Sequence, residues 1–363
     1  MKAMRRPRLR LLAGGMLSLG LLSCSDSTGP EPTPASATQV LLDISSKVIY
    51  ATYTDLSLEA DSLQQAVNRF AQTPNGSNLA AARQAWRNAR VPWEQNEGFL
   101  FGPVVTIPID ETIDSWPLNQ IDLDTILKSN IPLTKETLDS LQNTDKGFHA
   151  LEYLLFGDSA ASGNIDQYAS SLTARQLEFL QAAAASLKGS VDTLFQAWSP
   201  TGGNFLGELQ NAGKGSTAYA NQQEAIDELL GRMMDICDEV SSEKMASPFL
   251  FDPPSRAQEE SRYSNNSTAD FANNIRSARN VFLGSYGGKS GKGLKALVEK
   301  NNPALAALVE AQFDSAITAT LAVGVFSDAI INNNTQKVDV ATTAIRTLRG
   351  TMYLQLADAL KLP

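Results

Sequence analysis

From about Thr38 to the C-terminus, apolar positions recur with a spacing near 3.6 rather than 2. Val40, Leu41, Ile44, Val48 and Tyr53, continued by Leu56, Leu63, Val67 and Phe70, fall mostly on one stripe, as in a helix that buries a single face. Thr73–Ser77 reads as a turn. A second helix is expected over Asn78–Glu97, with Leu79, Ala82, Trp86, Ala89 and Trp93 inward and Pro92 ending or kinking it. Short helices are expected near Ile121–Leu127 and Thr134–Leu141. Longer ones follow over Thr173–Trp198, Ser216–Met245, Thr268–Tyr286, Pro303–Val325 and Val338–Leu362. β-branched residues are scattered and form no strand run. The pattern predicts an all-α fold of two four-helix-bundle-like domains side by side, 38–199 and 200–363, divided at Ser199–Gly203.

Two stretches break the rhythm. Gly98–Leu118 contains three prolines and no helical period, and long ordered loops of this kind are often functional. Gly287–Gly293 is rich in glycine and lysine, but it lacks the preceding strand and the spacing of a phosphate-binding loop; a flexible turn is expected.

The N-terminus has a different character. Lys2, Arg5, Arg6, Arg8 and Arg10 precede the apolar run Leu11–Leu22, too short to span a bilayer and of the length of a signal-peptide core. It ends in Leu21-Leu22-Ser23-Cys24, which resembles a bacterial lipobox. Residues 1–23 are therefore expected to be removed and Cys24 lipidated, with the Pro/Ser/Thr-rich residues 24–37 as a flexible tether to the membrane. An exported lipoprotein of the outer membrane or the periplasmic face of the envelope follows. The other cysteine, Cys237, sits among Met233, Met234 and Ile236 and is expected to be buried and inert.

Charge narrows the partners. The chain carries a formal −9, and loss of the leader's five positive charges takes it to about −14. That balance disfavours nucleic acid and anionic membrane surfaces and is compatible with cations.

The candidate chemistry centres on Asn143–Gly157, NTDKGFHALEYLLFG, which holds the single histidine of the chain. His149 and Glu152 stand at i and i+3, on one face of an otherwise apolar helix. Asn143, Thr144 or Asp145 can cap that helix, and its dipole favours a neutral ring with a lone pair free for a metal. Gly147 permits close approach at the helix start. One nitrogen and one oxygen do not complete a coordination shell. The further donors expected are Glu94 and Glu97, then Asp110, Glu111 and Asp114 in the irregular loop. One imidazole among oxygens suits iron, manganese or zinc rather than copper(I) or an iron–sulfur cluster. Trp86, Arg90 and Trp93 read first as core and rim residues, with Arg90 able to hold a carboxylate. The two-histidine zinc-protease motif, a nucleophile elbow, a Walker loop and a dinucleotide fingerprint are absent from the sequence.

Gly147–Glu152, GFHALE, matches the G-x-H-x-x-E motif of the imelysin family. Ala85–Arg90 with Glu97 and Phe99, Asp114-Ser115-Trp116-Pro117, Glu152–Gly157, Tyr263–Asp270 and Gly284-Ser285-Tyr286 resemble further segments of it. The resemblance implies two helical domains with the motif near their interface, in an exported, often lipid-anchored protein associated with bacterial iron uptake. It marks Gly147, His149 and Glu152 as the expected site, and implies a metal ion or metal chelate as ligand and envelope iron-transport proteins as partners. The family is also filed among metallopeptidases. Three functions follow as expectations: binding of iron or an iron-bearing ligand at His149 and Glu152, with Glu94, Glu97 or the 98–118 loop completing the site; a zinc peptidase built on the same pair; and a helical protein that docks other envelope proteins.

Overall fold

The structure is a computed structural model that describes residues 36–157 and 165–362. The leader, Cys24 and the tether up to residue 35 lie outside the described residues.

Ser36 opens the first helix by accepting a hydrogen bond from Gln39 N at 3.2 Å, as an N-cap serine does. Helix α1 (Ala37–Asp43) passes through a π-helical turn, Ile44–Ile49, into α2 (Tyr50–Gln72). After the Thr73–Asn75 turn comes α3 (Gly76–Glu94), which contains Pro92 and ends two residues beyond it. The irregular loop contains two short helices, Pro103–Thr106 and α4 (Asp110–Asp114). The motif lies on α5 (Gly147–Phe156), and α6 (Ala174–Trp198) closes the first helical set behind a Thr173/Gln176 capping box.

The second set comprises α7 (Gln222–Glu239), α8 (Ser267–Leu283), α9 (Pro303–Ala322) and α10 (Gln336–Thr351). A π-helical turn, Val240–Lys244, continues α7. The fold is all-α apart from one two-residue ribbon, Ser285–Tyr286 antiparallel to Lys289–Ser290 with Tyr286 opposite Lys289. The glycine- and lysine-rich stretch is thus partly a hairpin. Cys237 is fully buried on α7, and burial pushes its thiol up to about 12.

The apolar stripes face where their spacing directs them. Leu56, Leu63, Val67 and Phe70 of α2 meet Leu79, Ala82, Trp86 and Trp93 of α3 and Leu180, Leu187 and Leu194 of α6 in one dry cluster. Each buried leucine or phenylalanine in such a cluster contributes about 1.5–3 kcal/mol. In the second set, α8 packs on α7 and α9, and α10 packs on α9 and α7. The two sets touch where α8 lies against α3 and the Glu97–Phe99 turn. Gly98 makes that seam tight: a Cβ there would stand 2.6 Å from Ala278 N.

A second close approach places the motif. Gly147 has φ +75°, and a Cβ on it would stand 2.3 Å from the Ile113 carbonyl oxygen. The first residue of α5 therefore lies directly on α4, one residue from Asp114. A Gly147→Ala substitution meets both the left-handed backbone, which costs a non-glycine residue about 1–3 kcal/mol, and this carbonyl. Equilibrium unfolding of Gly147→Ala should show a loss at the upper end of that range or beyond; an unchanged midpoint would mean that the α4–α5 contact is not as drawn.

Candidate metal centre

Helix α5 starts at Gly147 behind an extended Lys146, with no side-chain cap; the expected Asn143–Asp145 cap is instead a separate 3-10 turn. His149 and Glu152 are 1% and 0% exposed. Two buried polar groups on so apolar a helix need partners, and they find them on both sides. His149 Nδ1 lies 3.0 Å from Glu152 Oε2. Glu152 Oε1 accepts three further hydrogen bonds, from Tyr263 N (3.0 Å), Ser264 N (2.8 Å) and Ser264 Oγ (2.7 Å). Glu152 therefore pins α5 to the segment before α8. Its remaining oxygen fixes the imidazole by accepting a hydrogen bond from Nδ1–H, which leaves Nε2 facing away.

Nε2 points at Asp114. It lies 3.2 Å from Asp114 Oδ1 but off the line of a hydrogen bond, so this buried nitrogen has no hydrogen-bond partner. Asp114 itself is held from two sides. Arg90 Nη1 donates to Oδ1 at 2.5 Å, and Trp93 Nε1 donates to Oδ2 at 2.6 Å. Arg90 is wholly buried; its Nη2 pairs with Glu94 and with Glu260 Oε1 (3.2 Å), and lies 3.5 Å from Asp270 Oδ2. The guanidinium carbon sits 5.7 Å from the Trp86 ring and 5.1 Å from that of Phe148, close enough for cation–π attraction.

Asp114, His149 and Glu260 each offer one ligand atom, and those atoms lie within 4.8 Å of one another. Glu260 Oε2 is buried without a hydrogen-bond partner. One imidazole nitrogen and carboxylate oxygens are a donor set for iron(II), manganese(II) or zinc(II). The orphaned Nε2 and Oε2 are the unmet valences such an ion would satisfy, so these residues fit a metal. Beside them opens a cleft of about 180 Å³ lined by Glu97, Asp110, Glu111, Asp114, Glu239 and Glu260 together with Lys244.

Burial and crowding set the charges. Burial pushes the His149 imidazolium toward losing its proton, but Asp114 and then Glu152 outweigh it and raise the group to about 10. The ring without a metal is therefore protonated, not neutral as the helix dipole alone suggests: two carboxylates in contact exceed the field of one helix end. Burial opposes the charge on Asp114 too, yet Arg90 and then His149 hold it well below the usual carboxylate range. Burial, then Asp114, lifts Asp110 to about 6. Asp270 also reaches about 6, through burial that Arg90 only partly offsets. Burial raises Glu94 and Glu97 further.

The profile of the imelysin family, a family filed as peptidases, matches residues 49–353. The chain belongs to the imelysin family. This imelysin is 29% identical over 354 residues to iron-regulated protein A of Synechococcus elongatus, covering 96% of this chain and 93% of that one. Among solved structures it is similar to a Parabacteroides distasonis protein described as an iron-regulated protein A precursor. There the TM-score is 0.80 at 26% identity, covering 92% of this chain and 97% of the other. An imelysin-like protein from Psychrobacter arcticum shares the fold, with a TM-score of 0.73 at 16% identity and coverage of 90% and 96%. The chain is thus imelysin-like, and similar to proteins described as iron-regulated.

The residues singled out in the sequence of this imelysin fall into two groups. His149, Asp114 and Arg90 converge, with Gly147 and Trp86 framing them; Trp86 Nε1 donates to Phe148 O at 3.0 Å. Glu152 stands behind His149 with both oxygens engaged. Glu94 turns to Arg90 and to Asn274 Nδ2 (2.5 Å), and Glu97 lines the cleft away from Nε2. Sequence reasoning missed Glu260, Asp270 and Lys244, which come from more than ninety residues downstream of the motif. The paired acids Glu259-Glu260 just after a proline-rich break were the available signal.

The shifts predict how the metal-free imelysin responds to pH. His149 is raised above its ordinary 6.5, so its contribution to stability is complete below 6.5 and is lost as pH rises toward 10. Asp110 and Asp270, raised from 3.8 to about 6, lose theirs as pH rises through 6. Asp114, lowered, loses its contribution only as pH falls below the ordinary carboxylate range. Thermal melts of chelator-treated protein should therefore peak at about pH 4 and decline toward pH 9; a Tm that climbs from pH 6 to 9 would contradict these assignments.

Proposed function

We propose that this imelysin is a lipid-anchored protein of the bacterial envelope that binds a metal ion, iron first among them, in iron uptake. Asp114, His149 and Glu260 hold the ion, and Glu152 orients the histidine without ligating. The observation that carries the reading is the convergence of His149 Nε2, Asp114 and Glu260, whose ligand atoms lie within 4.8 Å of one another, with the ring oriented by a fully engaged glutamate. The relatives' description as iron-regulated supports iron over the other ions that this donor set accepts.

The anchor is supported by the leader and Cys24 at the end of it, and no described helix is long and apolar enough to cross a membrane. The peptidase designation of the family supports a second reading, a zinc-dependent hydrolase. It needs a carboxylate free to take a proton from water. Glu152, the acid of the motif, already accepts four hydrogen bonds, and that favours binding over hydrolysis.

Calorimetric titration with Fe²⁺ under anaerobic conditions, and with Mn²⁺ and Zn²⁺ in air, tests the assignment. His149→Ala, Asp114→Asn and Glu260→Gln should each weaken binding by more than about 100-fold, whereas Glu152→Gln, acting through the histidine, should cost about 10–100-fold. Wild-type affinity in His149→Ala would remove the reading. Proteolysis of an unfolded substrate, abolished by chelator and restored by Zn²⁺, would put the hydrolase in its place.

A further inference from the structure

Among the described residues, Lys244 is the one cationic side chain lining the acidic cleft, and it stands on a candidate ligand. Its Nζ lies 3.3 Å from Glu260 Oε1, 3.3 Å from Asn274 Oδ1, 3.6 Å from Glu239 Oε1 and 4.0 Å from Glu94 Oε2. Glu260 Oε1 therefore already answers to two cations, Lys244 and Arg90. The two are built differently. Arg90 is forked among four carboxylates on three sides and has no second place to go. Lys244 is a single ammonium on a four-carbon stem, and one of its partners, Glu239, is 44% exposed at the rim.

Its position also follows from the charge of the site. The six carboxylates lining the cleft repel one another. A resident ammonium relieves that repulsion while no ion is bound. Once a doubly charged ion is held by Asp114, His149 and Glu260, the same ammonium becomes a like charge bonded to one of its ligands.

We propose that Lys244 is a built-in counter-cation that competes with the bound metal for Glu260 and so sets how tightly the site holds it. The oxygen open to an ion is Glu260 Oε2, and the ammonium on Oε1 is then a like charge on the same carboxylate. Lys244 touches the ligand and not the ion, so it is an affinity-determining residue, not a ligand. A site with such a competitor holds its ion loosely enough to hand it on, which a protein serving uptake needs. The inference rests on the metal-binding reading of the same cleft.

Titration of the full chain with Zn²⁺ and Mn²⁺, paired with thermal melts, separates the two. Lys244→Met should bind Zn²⁺ at least about tenfold more tightly than wild type, since the repulsion is gone. Its metal-free Tm should fall, because the carboxylates lose their neutraliser, and the rise in Tm on adding Zn²⁺ should exceed that of wild type. Lys244→Arg, which keeps the charge, should stay within about threefold of wild-type affinity and so controls for shape. If wild type binds Zn²⁺ and Lys244→Met binds it equally or more weakly, Lys244 is a structural prop and the inference is overturned while the metal site stands. If neither wild type nor Lys244→Met binds any of these ions, the metal reading and this inference fall together.

Discussion

The architecture around the motif depends on one buried cation. Arg90 extends from α3 into a space that is closed to water, and there it meets Glu94 of its own helix, Asp114 of α4, Glu260 of the segment before α8, and Asp270 of α8. A guanidinium without water is costly unless its donors are paired, and unpaired carboxylates beside it would be equally so. The planar fork allows one side chain to answer several acids at once, which a lysine ammonium does with less geometric control. Through these contacts the two helical sets are joined at a charged centre instead of an apolar one. Such a centre specifies register: sliding α8 along α3 by a turn would strand acids on both sides.

What Arg90 does for the framework, Glu152 does for the histidine. Four hydrogen bonds hold that carboxylate, so the imidazole has one orientation, and Nε2 is left for whatever Asp114 and Glu260 also face. The motif therefore divides its labour. Glycine brings α4 within contact, histidine presents the donor atom, and glutamate acts one step removed. An excess of carboxylates over cations then remains at the cleft, and it can be balanced in only two ways, by protons or by a bound cation. The raised positions of Asp110, Asp270 and His149 are the first way at work.

Much of this was readable from residue order. The 3.6-residue stripes of α2, α3 and α6 gave the helices and their buried faces, because local periodicity and core burial agree there. The lone histidine and its i+3 glutamate were visible for the same local reason, as was the irregular loop that supplies Asp114. Three things were not. The ionisation of His149 depends on Asp114, thirty-five residues upstream, and a helix-dipole argument does not see it. Glu260 and Lys244 reach the cleft only through tertiary packing of the second helical set, and no spacing along the chain encodes that. The role of Glu152 was open because an i+3 carboxylate can either ligate or orient; its contacts to Tyr263 and Ser264, which favour orienting, come from a distant segment.

The central claim is that the ion sits on Nε2 of His149 between Asp114 and Glu260, with Glu152 behind the ring. Crystals loaded with Fe²⁺ or Mn²⁺ and measured at the metal absorption edge test this directly. The account predicts an anomalous peak within bonding distance of His149 Nε2, Asp114 and Glu260, with Glu152 still hydrogen-bonded to Ser264. A peak on Glu152, or one in the cleft that leaves His149 Nε2 without a neighbour, would contradict it.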